Sequence, residues 1–269
     1  MSVFLSKQDI SLSKEFENKG YVIRNISNKL VLKKIENKFI KFIYKELKIK
    51  KKIKPQHLLN NFHRFLKIED LNVFRLKLIT HINNSKDFKK LYFLIAKPFL
   101  DVLLGNELAM QNRVNLSIQI PNDDSSLLPV HSDVWSGDSP FETVVWLPLV
   151  NCYKTKAMYI LSPKKYKKLE KKFHKLSKKN SEELFNYIKK DIKWIKIKFG
   201  QILIFNQTLP HGNKVNIEKE TRWSMNCRFK SIFTPFGDKK IGEFFEPITL
   251  RKISELALKY KLPKINEKN

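Results

Sequence analysis

Apolar residues recur at helical spacing through the first third of the chain and at alternate positions through the middle. Leu32, Ile35, Phe39, Phe42 and Leu47 mark one apolar face of a helix. Pro55 suits the first position of a second helix, which is expected to continue through Leu58, Leu59, Phe62 and Phe65. A third is expected from about Asp70 to Ile82 and a fourth from about Asp87 to Leu104, closed by Gly105. Pro98 is expected to kink or split that fourth helix.

From about Met110 to Pro235 the period falls to two. Val114, Leu116, Ile118 and Ile120 alternate with polar residues. Phe141 to Val150 is rich in β-branched and aromatic residues, and Ala157–Leu161 and Gln201–Phe205 are short apolar runs beside turn residues. Arg222 to Phe229 alternates strictly. Arg222, Ser224, Asn226 and Arg228 share one face, and Trp223, Met225, Cys227 and Phe229 the other. Lysine-rich, helix-like residues 164–190 interrupt this zone, either as a solvated connector or as a lid over a pocket. Thr249 to Leu262 reads as a terminal amphipathic helix. The fold class is therefore mainly β with helices (α+β) in a single domain, 1–269: helical over 1–105, a β core over 106–236 carrying the insertion, and a helical tail over 237–269.

Composition bounds the function. A chain of 269 residues that is 42% hydrophobic and 12% aromatic builds a globular core. Its apolar runs are too short to span a bilayer, and Met1 to Phe16 lacks the continuous apolar stretch of a secretory signal. A cytoplasmic protein with two free, buried thiols, Cys152 and Cys227, is expected. The formal charge of +27 suggests an anionic partner, but 46 of the 53 basic residues are lysines. Nucleic-acid readers lean on arginine, so solvated lysines from a composition bias are weighed against a functional basic surface. No specific nucleic-acid partner and no membrane span are expected.

The chemistry gathers around His131-Ser132-Asp133. On an extended segment, residues two apart point to the same side, so imidazole and carboxylate converge. Alone the pattern is weak. The short strand Gly200–Phe205 leads into Leu209-Pro210-His211-Gly212, where His211 stands just past a strand end and Gly212 lets the backbone turn tightly. Two histidines and one carboxylate form the facial triad of non-haem iron(II), with zinc as the competing metal. Arg222, eleven residues after His211 on the next strand, decides between them. An inward guanidinium offers a planar fork to a carboxylate. 2-Oxoglutarate, chelating iron through its keto acid end, needs such a partner, and a zinc hydrolase does not.

This ordered set resembles the phytanoyl-CoA-dioxygenase-like branch of the Fe(II)/2-oxoglutarate oxygenases, as does the opening Phe16-Glu17-Asn18-Lys19-Gly20-Tyr21-Val22-Ile23. Residues 131–161, HSDVWSGDSPFETVVWLPLVNCYKTKAMYIL, and 221–231, TRWSMNCRFKS, are similar to the oxygenases of sporadic carbohydrate-biosynthesis gene clusters. The resemblance covers roughly residues 105–247. It implies a double-stranded β-helix, a jelly-roll barrel with helices packed outside. It also implies iron on His131, Asp133 and His211, 2-oxoglutarate on Arg222, and dioxygen as oxidant. The substrate it implies is a sugar or sugar-linked small molecule. Asp133 excludes the halogenase variants, which lack that carboxylate.

Softer candidates are Asn115 and Gln119 as inward contacts to 2-oxoglutarate, and Thr143 or Ser224 as a hydroxyl on the same carboxylate. Trp135, Ser136 and Asp138 follow the metal motif and are candidates to meet substrate. His57, His63, His81 and His174 read as packing or surface residues. The alternative function is nucleic-acid demethylation, because Arg222 and Arg228 resemble the Arg-x5-Arg of AlkB-type enzymes. Six strand residues span roughly 20 Å, too far for both to grip one carboxylate side by side. A non-catalytic jelly-roll binding module is the remaining class.

Overall fold

A computed structural model of the chain describes residues 4–261. Helix α1, Lys7–Lys19, starts at a capping box in which Ser6 and Asp9 satisfy each other's backbone N–H groups. Strand β1, Tyr21–Asn25, follows directly. It breaks the helical reading of residues 1–105: Tyr21, Val22 and Ile23 lead a strand that adds to a sheet edge lying far away in sequence. Helices α2 (Lys29–Glu46), α3 (Pro55–Asn60), α4 (Leu71–Asn83) and α5 (Phe88–Leu103) complete this part. The second expected helix stops at Asn60, and a separate 3-10 turn covers Phe62–Arg64. Pro98 lies inside α5 without splitting it. The ring costs one backbone hydrogen bond, and the buried face of Tyr92, Ile95, Ala96 and Leu100 runs straight past it.

The β zone comprises β2 (Leu108–Gln111), β3 (Asn115–Gln119), β4 (Glu142–Pro148) and β5 (Tyr159–Leu161). Short helices α6 (Pro163–Glu170), α7 (Phe173–Leu176) and α8 (Ser181–Ile188) intervene. Strands β6 (Ile192–Trp194), β7 (Gln201–Asn206), β8 (His211–Gly212), β9 (Arg222–Ser231) and β10 (Phe245–Thr249) follow, and α9 (Lys252–Ala257) ends the described chain. The expected tail helix is thus shorter than 249–262, and residues 262–269 lie outside the described residues.

Two antiparallel sheets form the jelly roll. The large one runs β1-β7-β4-β9-β2-β10, with β3 also pairing to β9, and the small one runs β6-β5-β8. Alternation along β9 sets the layers. Trp223, Met225, Cys227 and Phe229 are fully buried in the core. The Trp223 ring stands edge-on to Phe62 at 4.8 Å, and its Nε1–H donates to the Leu59 carbonyl at 3.0 Å. Tyr92 of α5 donates to the Val145 carbonyl at 2.8 Å, tying the helices to the sheet. The other face of β9 carries Arg222, Ser224, Asn226 and Arg228. The small sheet has its own apolar cover: Tyr159 and Leu161 cluster with Leu169, Leu176, Leu184 and Ile188 of the insertion. The insertion is therefore fastened to that sheet as three short helices. Among the described residues, no helix is long and apolar enough to cross a membrane.

Candidate metal centre and its two chambers

His131 and His211 face each other across a two-residue antiparallel bridge. The N–H of each donates to the carbonyl of the other, at 3.0 and 2.8 Å. The next residues lock the motif: Ser132 Oγ donates to the Thr208 carbonyl at 2.9 Å, and Asp133 N to the Gln207 carbonyl at 3.1 Å. Gly212 is required here for space. A Cβ at this position would meet the Tyr159 hydroxyl at 2.7 Å and the Leu128 carbonyl at 2.8 Å. Its φ is not positive, so the tight-turn reason expected from sequence is replaced by close packing.

One donor atom from each of His131, Asp133 and His211 lies within 4.8 Å of the others. Asp133 Oδ1 is 3.4 Å from His131 Nε2 and 4.0 Å from His211 Nε2. Each imidazole is oriented by its other nitrogen: Nδ1–H of His131 donates to the Pro129 carbonyl at 2.8 Å, and that of His211 to the Leu209 carbonyl at 2.9 Å. A carbonyl only accepts, so the proton sits on Nδ1 and both Nε2 lone pairs are free for an ion. Burial, reinforced by the neighbouring His131, lowers the His211 pKa to about 4, which keeps its ring neutral. Burial alone would raise Asp133. Its polar and cationic surroundings, with the Arg228 guanidinium 3.0 Å away, outweigh it and hold the carboxyl well below the usual range. The donor set fits a divalent metal.

Arg228 completes the arrangement. Its Nη2 is 3.0 Å from Asp133 Oδ2, so one carboxylate oxygen is engaged and Oδ1 is left for the ion. Its Nε donates to Gln207 Oε1 at 3.0 Å and lies 3.5 Å from Asp138 Oδ1. Lys239 bonds both oxygens of Asp138 at 2.7 and 2.6 Å. The charges thus alternate from Lys239 through Asp138 and Arg228 to Asp133.

His211, Phe205, Leu128 and Asn226 line chambers on both sides of them. The first chamber, about 260 Å³, contains Arg222, Ser117 and Ser224. Arg222 is 3% exposed, and burial lowers its pKa to about 10. Its Nη2 donates to Ser117 Oγ at 2.9 Å, while its Nε has no partner. Among the described residues no carboxylate pairs with it. The second chamber, about 290 Å³, holds the metal-facing atoms with Asn115, Ser136, Asp138, Asn226, Arg228 and Lys239.

The sequence-derived candidates divide accordingly. Ser224 lies in the Arg222 chamber. Asn115 does not: its amide bonds Asn226 Oδ1 at 3.0 Å, and it faces the metal side. Gln119 is the register partner of Arg222, yet it is fully buried and spends its amide on the Lys214 carbonyl at 2.7 Å. Thr143 stands away from Arg222. The sheet register sets it opposite Phe229, at the far end of β9 from Arg222, and its hydroxyl donates to the Phe205 carbonyl. Ser136 and Asp138 reach the metal chamber. Trp135 turns away and packs on Phe173 of the insertion at 5.0 Å. No insertion residue lines either chamber. His57, His63, His81 and His174 stand outside the cluster. Sequence reading missed Ser117, which shares the face of Asn115 and Gln119, and Arg228 as a partner of Asp133. Lys239 carried no signal, because only folding returns its loop to residue 138.

No family model matches this sequence, and no curated protein matches it. Solved structures match its fold. A non-heme monooxygenase, the ThoJ–nickel complex, aligns with a TM-score of 0.54 at 13% identity, covering 89% of this chain and 84% of that one. EctD from S. alaskensis, with 2-oxoglutarate and 5-hydroxyectoine, aligns with a TM-score of 0.53 at 12% identity over 88% and 80%. HygX from Streptomyces hygroscopicus, with nickel and 2-oxoglutarate bound, gives 0.50 at 8% identity over 86% and 89%. At such identities the likeness establishes the jelly-roll fold.

Proposed function

We propose that this chain is an iron(II)- and 2-oxoglutarate-dependent oxygenase that oxidises a small, hydroxyl-rich molecule of the sugar or sugar-linked class. The observation that carries the reading is Arg222. A buried guanidinium with no acidic partner among the described residues, in a chamber beside a convergent His-Asp-His set, is matched by a ligand that brings its own carboxylate. His131 and His211 would hold iron through Nε2 and Asp133 through Oδ1. Arg222, set by Ser117 with Ser224 beside it, would take the distal carboxylate. When bound, iron with 2-oxoglutarate and dioxygen supplies C–H oxidation, with succinate and carbon dioxide released. A zinc hydrolase would leave Arg222 without a purpose. The neighbouring folds that hold 2-oxoglutarate agree with this reading.

The second chamber supports the substrate class. Asn115, Asn226, Ser136, Asp138 and Lys239 offer donors and acceptors to hydroxyls and outnumber the apolar walls Leu128, Val144 and Phe205. A base-repair enzyme needs apolar or aromatic walls to hold an extruded base. We place the protein in the cytoplasm, where its two buried cysteines stay free.

Anaerobic iron loading tests the proposal. One iron(II) per chain should bind, Asp133→Ala should lose most of it, and 2-oxoglutarate should then raise a visible metal-to-ligand band. Succinate release should increase with at least one nucleotide-linked sugar or glycan precursor and stay at background with methylated oligonucleotides. Equal iron binding by Asp133→Ala would remove the metal assignment. Coupled demethylation of an oligomer would replace the sugar reading.

A further inference from the structure

Lysines are segregated along this chain. Residues 98–153, which carry the HxD motif, contain none, and the loop 121–141 is as bare as the strands. Residues 164–198 carry fourteen lysines against four acids. A uniform composition bias would spread them. Of those acids, Asp191, Glu183 and Glu182 are already paired to Lys165, Lys179 and Lys214, so most of the charge there is uncompensated.

Beside this surface lies a cleft of about 550 Å³ lined by Tyr153, Lys154, Thr155, Trp194 and Lys196. Trp194 is fixed edge-on against Tyr159, with ring centroids 5.4 Å apart. Lys154 and Lys196 are exposed and form no ion pair among the described residues. The nearby acids are engaged: Glu220 accepts from Lys156 Nζ at 2.7 Å, and Glu218 from the Thr155 hydroxyl at 3.2 Å. Lys154 also has φ of 45°. A non-glycine residue there is strained, and such strain concentrates at ligand clamps. Lys48, also positive in φ, follows the end of α2, where that conformation is routine. Lys154 instead opens the short 3-10 turn Lys154–Lys156, on the rim of the cleft.

We propose that this cleft is a second ligand site, for the nucleoside phosphate unit, with the ring on Trp194 and Tyr153 and the phosphates on Lys154 and Lys196. Aromatic walls accept any base by its face, and lysines act as point charges toward phosphate without reading base edges. A lipid headgroup would use the charge but leave the aromatic walls idle. The site is separate from the metal centre. Trp194 pairs with Tyr159, and Tyr159 with Gly212, so the cleft lies two strands across the small sheet from β8. The inference does not depend on the oxygenase reading.

Calorimetry on the full chain tests it with UDP, pyrophosphate and an eight-residue deoxyuridine oligomer. UDP should bind at least about tenfold more tightly than pyrophosphate, because the stacked ring adds to the phosphate contacts. Tyr153→Ala should bring UDP down to the pyrophosphate level, and the Lys154→Ala/Lys196→Ala pair should weaken both. Trp194→Ala should match Tyr153→Ala; since Trp194 also packs against the Tyr159 cluster, Tyr153, which lies outside that cluster, keeps the test decisive. Arg222→Ala should bind UDP as wild type does. If the oligomer binds more tightly than UDP and loses affinity steeply with salt, the source of the nucleotide is a single strand. If the two bind alike, it is a free nucleotide. Equal affinities for UDP and pyrophosphate, or unchanged UDP binding by Tyr153→Ala, would overturn the site.

Discussion

Arg222 and Arg228 stand six residues apart on the same face of one strand, yet their surroundings are opposite. Arg228 touches two carboxylates, Asp133 and Asp138, and the Gln207 amide. Arg222 is more deeply buried, has one neutral hydroxyl partner and leaves its Nε unmet. A buried charge is costly unless it is paired. The structure satisfies one arginine internally and gives the other a single hydroxyl, which is the ground for the co-substrate role we propose for it. The same residue type on the same alternating pattern therefore serves two purposes, decided by what faces it from across the barrel.

Removing the unpaired arginine should have the largest effect. Arg222→Ala should weaken 2-oxoglutarate by about 2–5 kcal/mol, because the ligand carboxylate would be buried without a partner. Arg222→Lys should recover only part of this, since an ammonium lacks the fork. Titration into iron-loaded anaerobic protein, followed by the visible band, reads both. Equal affinity in all three proteins would place Arg222 among structural residues and erase its contrast with Arg228.

His211, the ring both chambers share, should give the next effect. The unfolded chain protonates this ring near its ordinary value of 6.5, and the folded chain only near about 4. Between those limits the unfolded state binds more protons, so metal-free protein should lose stability as pH falls through that window. Urea unfolding of chelator-treated protein should show about 2 kcal/mol less stability at pH about 4.5 than at neutrality. His211→Asn should flatten that slope. The Asp133 contribution, whose folded pKa is depressed, disappears only at lower pH, as the carboxyl itself protonates. A slope unchanged by His211→Asn would assign the loss to other groups.

The paired arginine should matter through the metal. Arg228→Ala frees Asp133 Oδ2 and lets the carboxylate rotate, which should cost about 10–100-fold in iron affinity, the usual range for partners of metal ligands. Affinity for 2-oxoglutarate, measured at saturating iron, should change little. Were the two effects reversed, Arg228 would be the co-substrate anchor and the assignment of the chambers would exchange.

Much of this was legible before folding. Alternation along residues 222–229 separates the core-facing from the chamber-facing side chains, and His131, Asp133 and His211 converge as their spacing and order imply. What sequence could not supply was lateral. Thr143 and Arg222 both lie on β strands, but only the register of β4 against β9 shows them at opposite ends. Trp135 follows the metal motif, yet the apolar cover of the small sheet draws its ring outward to Phe173. Periodicity hides a strand at residues 21–25 because the strand that β1 pairs with, β7, begins at residue 201. Lys239 reaches Asp138 across 101 residues of sequence. Periodicity reports which way a residue faces along its own element. It carries nothing about which residue of another element will stand opposite.

The smallest effect should come from Ser117, and it tests how Arg222 is aimed. Arg228 is restrained from several directions, whereas the hydrogen-bonded restraint on the Arg222 fork is the 2.9 Å bond from Nη2 to Ser117 Oγ. Ser117→Ala removes that bond. The ligand carboxylate would remain, so most of the ion pair would survive. The cost in 2-oxoglutarate affinity should be about 1 kcal/mol, the net worth of one such bond, and iron affinity should be unchanged. Ser117→Thr keeps the hydroxyl and should recover affinity if the added methyl fits the chamber. A loss as large as that of Arg222→Ala would mean that Ser117 itself binds the co-substrate. No loss at all would mean that packing alone holds the guanidinium, and that the unpaired arginine is as rigidly placed as the paired one.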